Sequence, residues 1–142
     1  MTQSSLQADF LIQQSLVQGK LQKKVEGQLS IHGVSFTEYQ IMYHLAVAPG
    51  QTLRRIELAE LVGISASGVT RLLAPMEKNR IVVKRANSRD ARVSLVKLSD
   101  SGVSLFKDAR ASFKDCAASL TSRLSDKQLE TLMELSARLL SN

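Results

Sequence analysis

Residues 56–73, with the sequence IELAELVGISASGVTRLL, constrain the fold most, because an apolar helical stretch is followed by a run without bulky side chains. Ala59 and Gly63 are small residues at a spacing that lets two helices approach closely and be joined by a tight turn. Val69 then supplies an apolar side that packs the second helix against the first. The pattern predicts a helix-turn-helix whose second helix has Ser65 as its N-cap.

The opposite side of that second helix carries short polar side chains. It consists of Ser65, Ser67, Gly68, Thr70 and Arg71. A helix enters the major groove of B-DNA when its leading face lacks bulky apolar groups, and an arginine there can bond guanine through two hydrogen bonds. The helix N-terminus also attracts phosphate. These five residues are predicted to contact DNA; the alternative is a solvated face on a plain pair of helices.

Positive charge is concentrated in the middle of the chain. Residues 51–100 contain 10 Lys and Arg residues against 5 Asp and Glu residues, and so carry +5 of the formal net charge of +6. A local positive field of this kind favours a polyanionic partner. A solvated basic surface without such a partner is the alternative.

Two β-rich segments, IVVKRA and VSLVKLS, flank the polar sequence NSRDAR and predict a hairpin with an exposed basic loop. A hairpin directly after a helix-turn-helix forms a wing, and Arg89 and Arg92 in its loop suit the negative potential of the minor groove. Asp90 is interpreted as a carboxylate that pairs with Arg92 or with the loop backbone and fixes the direction of the wing. Asp90 is the third residue of the loop that we include in the predicted DNA site. The alternative is that it is an ordinary turn-forming aspartate in an exposed loop.

Apolar spacing and capping residues predict six helices. They are expected over residues 6–29, from Ser35 or Thr37 to about Ala48, near 54–62, from Ser65 to about Asn79 with a bend at Pro75, from Ser99 to about Arg123, and after Ser125. The fold class is mainly α with a small β-hairpin. We expect a winged-helix lobe over residues 35–98 and a helical dimerisation region formed by residues 1–34 and 99–142.

The first and last helices carry more apolar surface than a single chain would expose to solvent. A two-fold dimer would cover that surface and would present two recognition helices about 34 Å apart to a palindromic site. Packing within one chain is the alternative. The predicted dimerisation residues are Leu6, Phe10, Val17, Leu120, Leu124, Leu129, Leu132 and Leu139.

The sequence offers little chemistry for other functions. One cysteine, Cys116, excludes an internal disulfide and a cysteine-rich zinc site, and His32 and His44 are the only histidines. Motifs for phosphate-binding loops, nucleophile elbows and metal clusters are absent, so we expect no enzyme activity, no cofactor and no metal. No stretch predicts a membrane span or a secretory signal, which favours the cytoplasm and the nucleoid.

Three segments resemble the MarR (multiple antibiotic resistance regulator) family of bacterial transcription factors. They are FTEYQIMYHLA, LAELVGISASGVTRLLAPMEKNRIV and RDARVSLVKLSDSG, the last with Asp90, Arg92, Leu98, Ser99 and Gly102 at the family spacing. The resemblance implies a winged-helix homodimer that binds double-stranded DNA at a pseudo-palindromic operator. It further implies a repressor released by a small anionic or phenolic ligand or by thiol oxidation, although Cys116 is interpreted as an inert packing residue.

The resemblance also implies an effector pocket between the dimer helices and the DNA-binding lobe. The candidates for its lining are Phe36, Tyr39, Met42, Tyr43, Phe106 and Arg110. Tyr39 and Arg110 would offer a phenol and a cation to a small aromatic or anionic effector. Two other functions stay open: a non-specific architectural DNA-binding protein, and a winged helix that binds another protein.

Overall fold

The computed structural model describes residues 3, 5–90 and 92–141, and this part of the chain contains six α-helices and three β-strands. The helices are α1 (Leu6–Leu29), α2 (Phe36–Val47), α3 (Arg55–Val62), α4 (Ala66–Lys78), α5 (Asp100–Leu120) and α6 (Asp126–Leu140). The strands are β1 (Thr52–Arg54), β2 (Val82–Ala86) and β3 (Ser94–Leu98). This order confirms the predicted winged helix-turn-helix with long flanking helices.

Serine hydroxyls begin five of the six helices by accepting a backbone N–H of the first turn, which otherwise lacks a partner. They belong to Ser5, Ser35, Ser65, Ser99 and Ser125. Of the two overlapping capping boxes predicted before α2, the Ser35 box forms: Ser35 Oγ accepts from Glu38 N at 3.1 Å, and Ser35 N donates to Glu38 Oε1 at 2.9 Å. The local sequence therefore determines where most helices begin.

The sheet has the order β1-β3-β2, with both neighbouring pairs antiparallel. Val82 pairs with Leu98, and Ala86 with Ser94, in the predicted hairpin. The strand β1 was not predicted, because three residues are too short to show an alternating pattern. Its middle residue, Leu53, is buried and pairs with Val96, so β1 joins the β2–β3 hairpin to the segment that precedes α3.

The winged-helix lobe, meaning α2, α3, α4 and the three strands, has a continuous apolar core. Leu45, Leu58, Leu73 and Val96 are fully buried there. Burial of such side chains stabilises each by about 1.5–3 kcal/mol relative to exposure. The lobe therefore packs fully within one chain.

The terminal helices behave differently from the lobe. In α1 the buried residues are Val25 and Leu29, near its C-terminal end, whereas residues 6–20 are all exposed. In α5, Phe106 and Ala109 reach the core, and α6 has no buried residue. We use "terminal helices" below for α1 and α6.

Candidate nucleic-acid interface

The helix-turn-helix is formed by α3 and α4, and the predicted packing residues are in place. Ala59 is buried where the helices meet. Gly63 ends α3 with a φ of 75°, a left-handed conformation that glycine adopts without a Cβ clash, and its N–H donates to Ala59 O at 2.9 Å. Val69 and Leu73 are fully buried and hold α4 against the lobe.

The N-terminus of α4 is organised by Ser65. Its hydroxyl accepts from Gly68 N at 3.0 Å and lies 3.1 Å from Ser67 Oγ. A Cβ on Gly68 would lie 3.2 Å from that same hydroxyl oxygen, a tight contact. Ser65 and Gly68 therefore shape the beginning of the helix, and Ser67 presents its hydroxyl on the exposed surface.

Thr70 and Arg71 are exposed one turn further along α4, as the sequence predicts for groups that reach DNA. The helix continues past Pro75 to Lys78 without a break, and the predicted bend at Pro75 stays a prediction. The exposed polar face of α4 thus extends from Ser67 to Arg71 on a helix whose other side is fully packed.

A charged cluster beside this face was not predicted from the sequence. Arg55, the first residue of α3, lies 3.2 Å from Glu77 of α4, and Lys84 of β2 lies 3.6 Å from the second oxygen of the same carboxylate. Arg55 also donates to Thr70 at 3.2 Å. The cluster connects three elements, so α4 and the wing are held in a fixed relation.

The wing loop is held by two side-chain acceptors. Asn87 Oδ1 accepts from Arg89 N at 2.9 Å, and Asp90 Oδ1 accepts from Arg92 N at 3.0 Å and from Arg92 Nε at 3.2 Å. Hydrogen bonding from the Arg92 side chain, then from its backbone N–H, lowers the pKa of Asp90. Asp90 therefore makes both predicted contacts, while Arg89 and Arg92 are exposed.

Ser99 and Gly102 explain the last part of the family pattern. Ser99 Oγ accepts from Gly102 N at 3.0 Å and donates to the carbonyl oxygens of Arg80 and Ile81. A Cβ on Gly102 would clash with the carbonyl oxygen of Ile81, so glycine is required for this close approach. These contacts join the beginning of α5 to the segment between α4 and β2.

Most of the predicted dimerisation residues leave apolar surface uncovered in the single chain, although Leu120 packs against the core. Leu120 and Leu129 are half-buried, and the other six are exposed. Further apolar side chains that the sequence prediction left out are also exposed: Leu11, Ile12, Leu16, Met133, Leu135 and Leu140. The FLIQQSLV run already places several of them next to the predicted ones.

An aromatic cavity of about 370 Å³ lies between α2 and α5. It is lined by Phe36, Tyr39, Gln40, Tyr43, His44, Arg110, Phe113 and Lys114. Four of the six predicted residues are in this lining. Met42 is fully buried in the core instead, and Phe106 lies behind Tyr39 with ring centroids 5.4 Å apart.

Electrostatics make this cavity suitable for an anion. Burial raises the pKa of the Tyr39 phenol, with a smaller opposing effect from the Arg110 cation, so the phenol stays protonated and can donate a hydrogen bond. Burial lowers the pKa of His44, which favours the neutral imidazole, so the positive charge near the cavity comes from other residues. Arg110 and Lys114 supply positive charge at the rim.

Two absences can be stated for the described part of the chain. None of its helices is both long and apolar enough to cross a membrane, and it contains no group of three or more His, Cys, Asp or Glu side chains that could hold a metal ion. Cys116 is half-buried and packs against the core from α5.

The chain is similar in sequence to known regulators of transcription. The MarR family model matches residues 32–93. Over 124 residues the chain is 27% identical to the uncharacterized HTH-type transcriptional regulator YwaE of Bacillus subtilis, covering 87% of this chain and 71% of YwaE. It is 23% identical over 125 residues to the transcriptional repressor MprA of Escherichia coli K12, covering 88% of this chain and 71% of MprA.

Solved structures share the fold over nearly the whole chain. Sco3205, a MarR family transcriptional regulator from Streptomyces coelicolor solved in complex with DNA, has a TM-score of 0.85 at 23% identity, with 99% of this chain and 90% of Sco3205 covered. NadR in complex with 4-hydroxyphenylacetate has a TM-score of 0.84 at 23% identity, with 98% and 97% covered. The resemblance found in the sequence thus agrees with a MarR family model over residues 32–93, the winged-helix segment, and with the fold of a MarR family regulator over nearly the whole chain.

Proposed function

We propose that this protein is a sequence-specific regulator of transcription that binds double-stranded DNA. It acts as a homodimer on a pseudo-palindromic operator, as a repressor that a small aromatic or anionic effector releases. Its place of action is the cytoplasm, at the nucleoid. The observation that carries the proposal is the exposed polar face of α4 beside a basic wing.

The recognition surface consists of Ser65, Ser67, Gly68, Thr70 and Arg71 on α4, together with Arg89, Asp90 and Arg92 in the wing. Arg71, Arg89 and Arg92 are all exposed on the lobe that carries most of the net charge. Cations at these positions suit phosphates and base edges, whereas a protein-binding winged helix would present an apolar or neutral face. MprA is named a repressor, and Sco3205 is a regulator solved with DNA.

The homodimer is proposed from the predicted dimerisation region, residues 1–34 and 99–142, which contains the terminal helices. Half of the surface of Leu132 and 58% of that of Leu139 are exposed in one chain. An amphipathic helix is stabilised mainly by packing its apolar face, so α6 needs a second surface. A second copy offers the same apolar residues on its own terminal helices, and the two-fold arrangement matches a palindrome.

The effector site is the aromatic cavity between α2 and α5. Phe36, Phe113 and Tyr43 would contact an aromatic ring, while the Tyr39 hydroxyl and the Arg110 guanidinium would bind a carboxylate. NadR, a structure with the same fold, is solved with 4-hydroxyphenylacetate, a ligand of this chemistry. A thermal-shift titration with 4-hydroxyphenylacetate should raise the melting temperature of the wild-type protein more than that of Arg110→Gln.

The proposed function is tested by selecting binding sites from random duplexes with the purified protein. We expect a palindromic consensus that is bound at least about 1,000-fold more tightly than scrambled DNA at moderate salt. Equal affinity for every duplex, with salt dependence, would favour the architectural alternative instead. Absence of any DNA binding would favour a protein-interaction module.

A further inference from the structure

Arg55 contacts two residues of α4 that lie two turns apart on the same face. Its Nη1 donates to Thr70 Oγ1 at 3.2 Å, and its Nη2 donates to Glu77 Oε1 at 3.2 Å. The Arg55 and Glu77 side chains are only 28% and 27% exposed, and Lys84 holds the other oxygen of the carboxylate. Because a guanidinium is a rigid planar set of donors, the arrangement fixes its orientation toward Thr70.

The hydroxyl of Thr70 is bonded differently from those of two other helix-associated threonines. Thr121 and Thr131 donate their hydroxyl protons to the carbonyl oxygen four residues earlier, at 2.7 Å and 3.0 Å. Within the residues that the structure describes, Thr70 makes no such bond, and its partner is Arg55. A guanidinium has no acceptor atom, so Thr70 Oγ1 accepts from Arg55 and keeps its own proton available for a further bond.

Resting on the proposed function, we propose that Arg55 is a positioning residue that makes Thr70 a hydrogen-bond donor to a base edge in the major groove, and that Glu77 holds Arg55 in place. Thr70 is exposed beside Arg71 in the N-terminal half of α4, the part of a recognition helix that meets base edges. A fixed donor favours N7 or O6 of guanine, N7 of adenine or O4 of thymine over the amino group of cytosine. Arg55 thus sets a base preference without touching DNA.

A direct phosphate contact by Arg55 is the competing explanation, and the two differ in what they predict. A phosphate contact contributes to the affinity for every duplex and to the salt dependence of binding. A positioning residue changes the preference at one base position of each half-site. The Glu77 carboxylate at 3.2 Å already neutralises part of the Arg55 charge, which favours the positioning role.

The test is binding-site selection with the wild-type protein and five variants. Thr70→Val removes the hydroxyl at nearly constant volume, and Arg55→Lys keeps the charge but loses the planar set of donors. Both should lower the preference at the same base position by about 3- to 10-fold, the worth of one hydrogen bond. The double variant should lose no more than either single variant, because both remove the same contact.

Arg54→Lys is the matched control, since the neighbouring Arg54 pairs with Glu57 and not with α4. Its selected consensus should equal that of the wild type. If circular dichroism shows that Arg55→Lys unfolds the lobe, Thr70→Val and Glu77→Gln still decide, and both should change the same base position.

An unchanged consensus for Thr70→Val would overturn the inference. So would a uniform loss of affinity for every duplex in Arg55→Lys, or additive effects in the double variant. A wild-type protein without any base preference would instead overturn the proposed function itself.

Discussion

The winged-helix lobe and the terminal helices differ in how much of their apolar surface is buried within one chain. In the lobe, Val69, Leu73 and Val96 are fully buried, and the residues expected to meet DNA are at its surface. In α6 no residue is buried, although leucines recur along one of its sides. The lobe therefore has a buried core within one chain, whereas the apolar sides of the terminal helices are buried only when another apolar surface covers them.

The largest effect is expected from breaking the surface on α6. Leu132→Glu places a charge on the apolar side, where dimerisation would bury it without a partner. We expect a monomer in analytical ultracentrifugation and a loss of operator affinity of at least about 100-fold, because two linked half-sites bind far more tightly than one. Glu130→Lys, which changes a charge on the side of α6 opposite Leu132, is the control and should leave both properties unchanged. A dimeric Leu132→Glu protein with full affinity would contradict the proposed interface.

The same glycine substitution should act oppositely in the two regions. Gly102→Ala should lower the free energy of unfolding by about 1–3 kcal/mol or more in urea titration, because its Cβ would clash with the Ile81 carbonyl. Gly19 in α1 has no atom within 4 Å of an added Cβ, so Gly19→Ala should stabilise the helix by about 0.5–1 kcal/mol. A destabilised Gly19→Ala dimer would show that a partner helix approaches closely at Gly19.

Arg71 should affect the preference for operator over random DNA more than the folding stability of the protein. Arg71→Ala should reduce the difference in binding free energy between operator and random DNA by about 1–3 kcal/mol, measured by fluorescence anisotropy at constant salt. Arg138→Ala removes an exposed arginine from α6 and should change neither affinity. Equal losses on operator and random DNA would mean that Arg71 contacts phosphate only.

Substitution of Asp90 should have the smallest effect on DNA affinity, and its sign is opposite to that expected from charge alone. Removing a negative charge near phosphates would by itself strengthen DNA binding, yet Asp90→Ala should weaken it about 2- to 5-fold because the wing loses the contacts that hold Arg92. Asp90→Asn keeps an acceptor for Arg92 N and should weaken binding less. Tighter binding by Asp90→Ala would show that the carboxylate only repels DNA.

The pKa of Asp90 gives the same contact a pH dependence. Because hydrogen bonds from Arg92 lower this pKa in the folded protein, the carboxylate contributes fully above the ordinary pKa of aspartate. The contribution is lost as the pH falls through the lowered value. Between pH 6 and 8 the wing contact should therefore be constant.

Local features of the fold could be predicted from the sequence. Ser35, Ser65, Ser99 and Ser125 were each expected to begin a helix, and each does so through a hydrogen bond within three residues. The exposed face of α4 likewise follows from helical periodicity. Interactions of this range depend on neighbouring residues that the sequence displays directly.

Features that depend on distant residues could not be predicted. Strand β1 is three residues long and exists because it pairs with β3, more than 40 residues later in the chain. The contact of Arg55 with Glu77 spans 22 residues, and neither residue stands out among the many charges of this segment. Met42 was expected in the cavity with Tyr39 and Tyr43, but its side chain is directed into the core.

The junction at Gly102 has a consequence for regulation. Ser99 and Gly102 hold the first turn of α5 in direct contact with the backbone of Ile81, between the recognition helix and the wing. The same helix contributes Arg110 and Phe113 to the aromatic cavity two to three turns further along. Because close-packed elements transmit displacements, a tilt of α5 on binding of the proposed effector would also move the segment between α4 and β2. In the proposed dimer, that movement would change the distance between the two recognition helices.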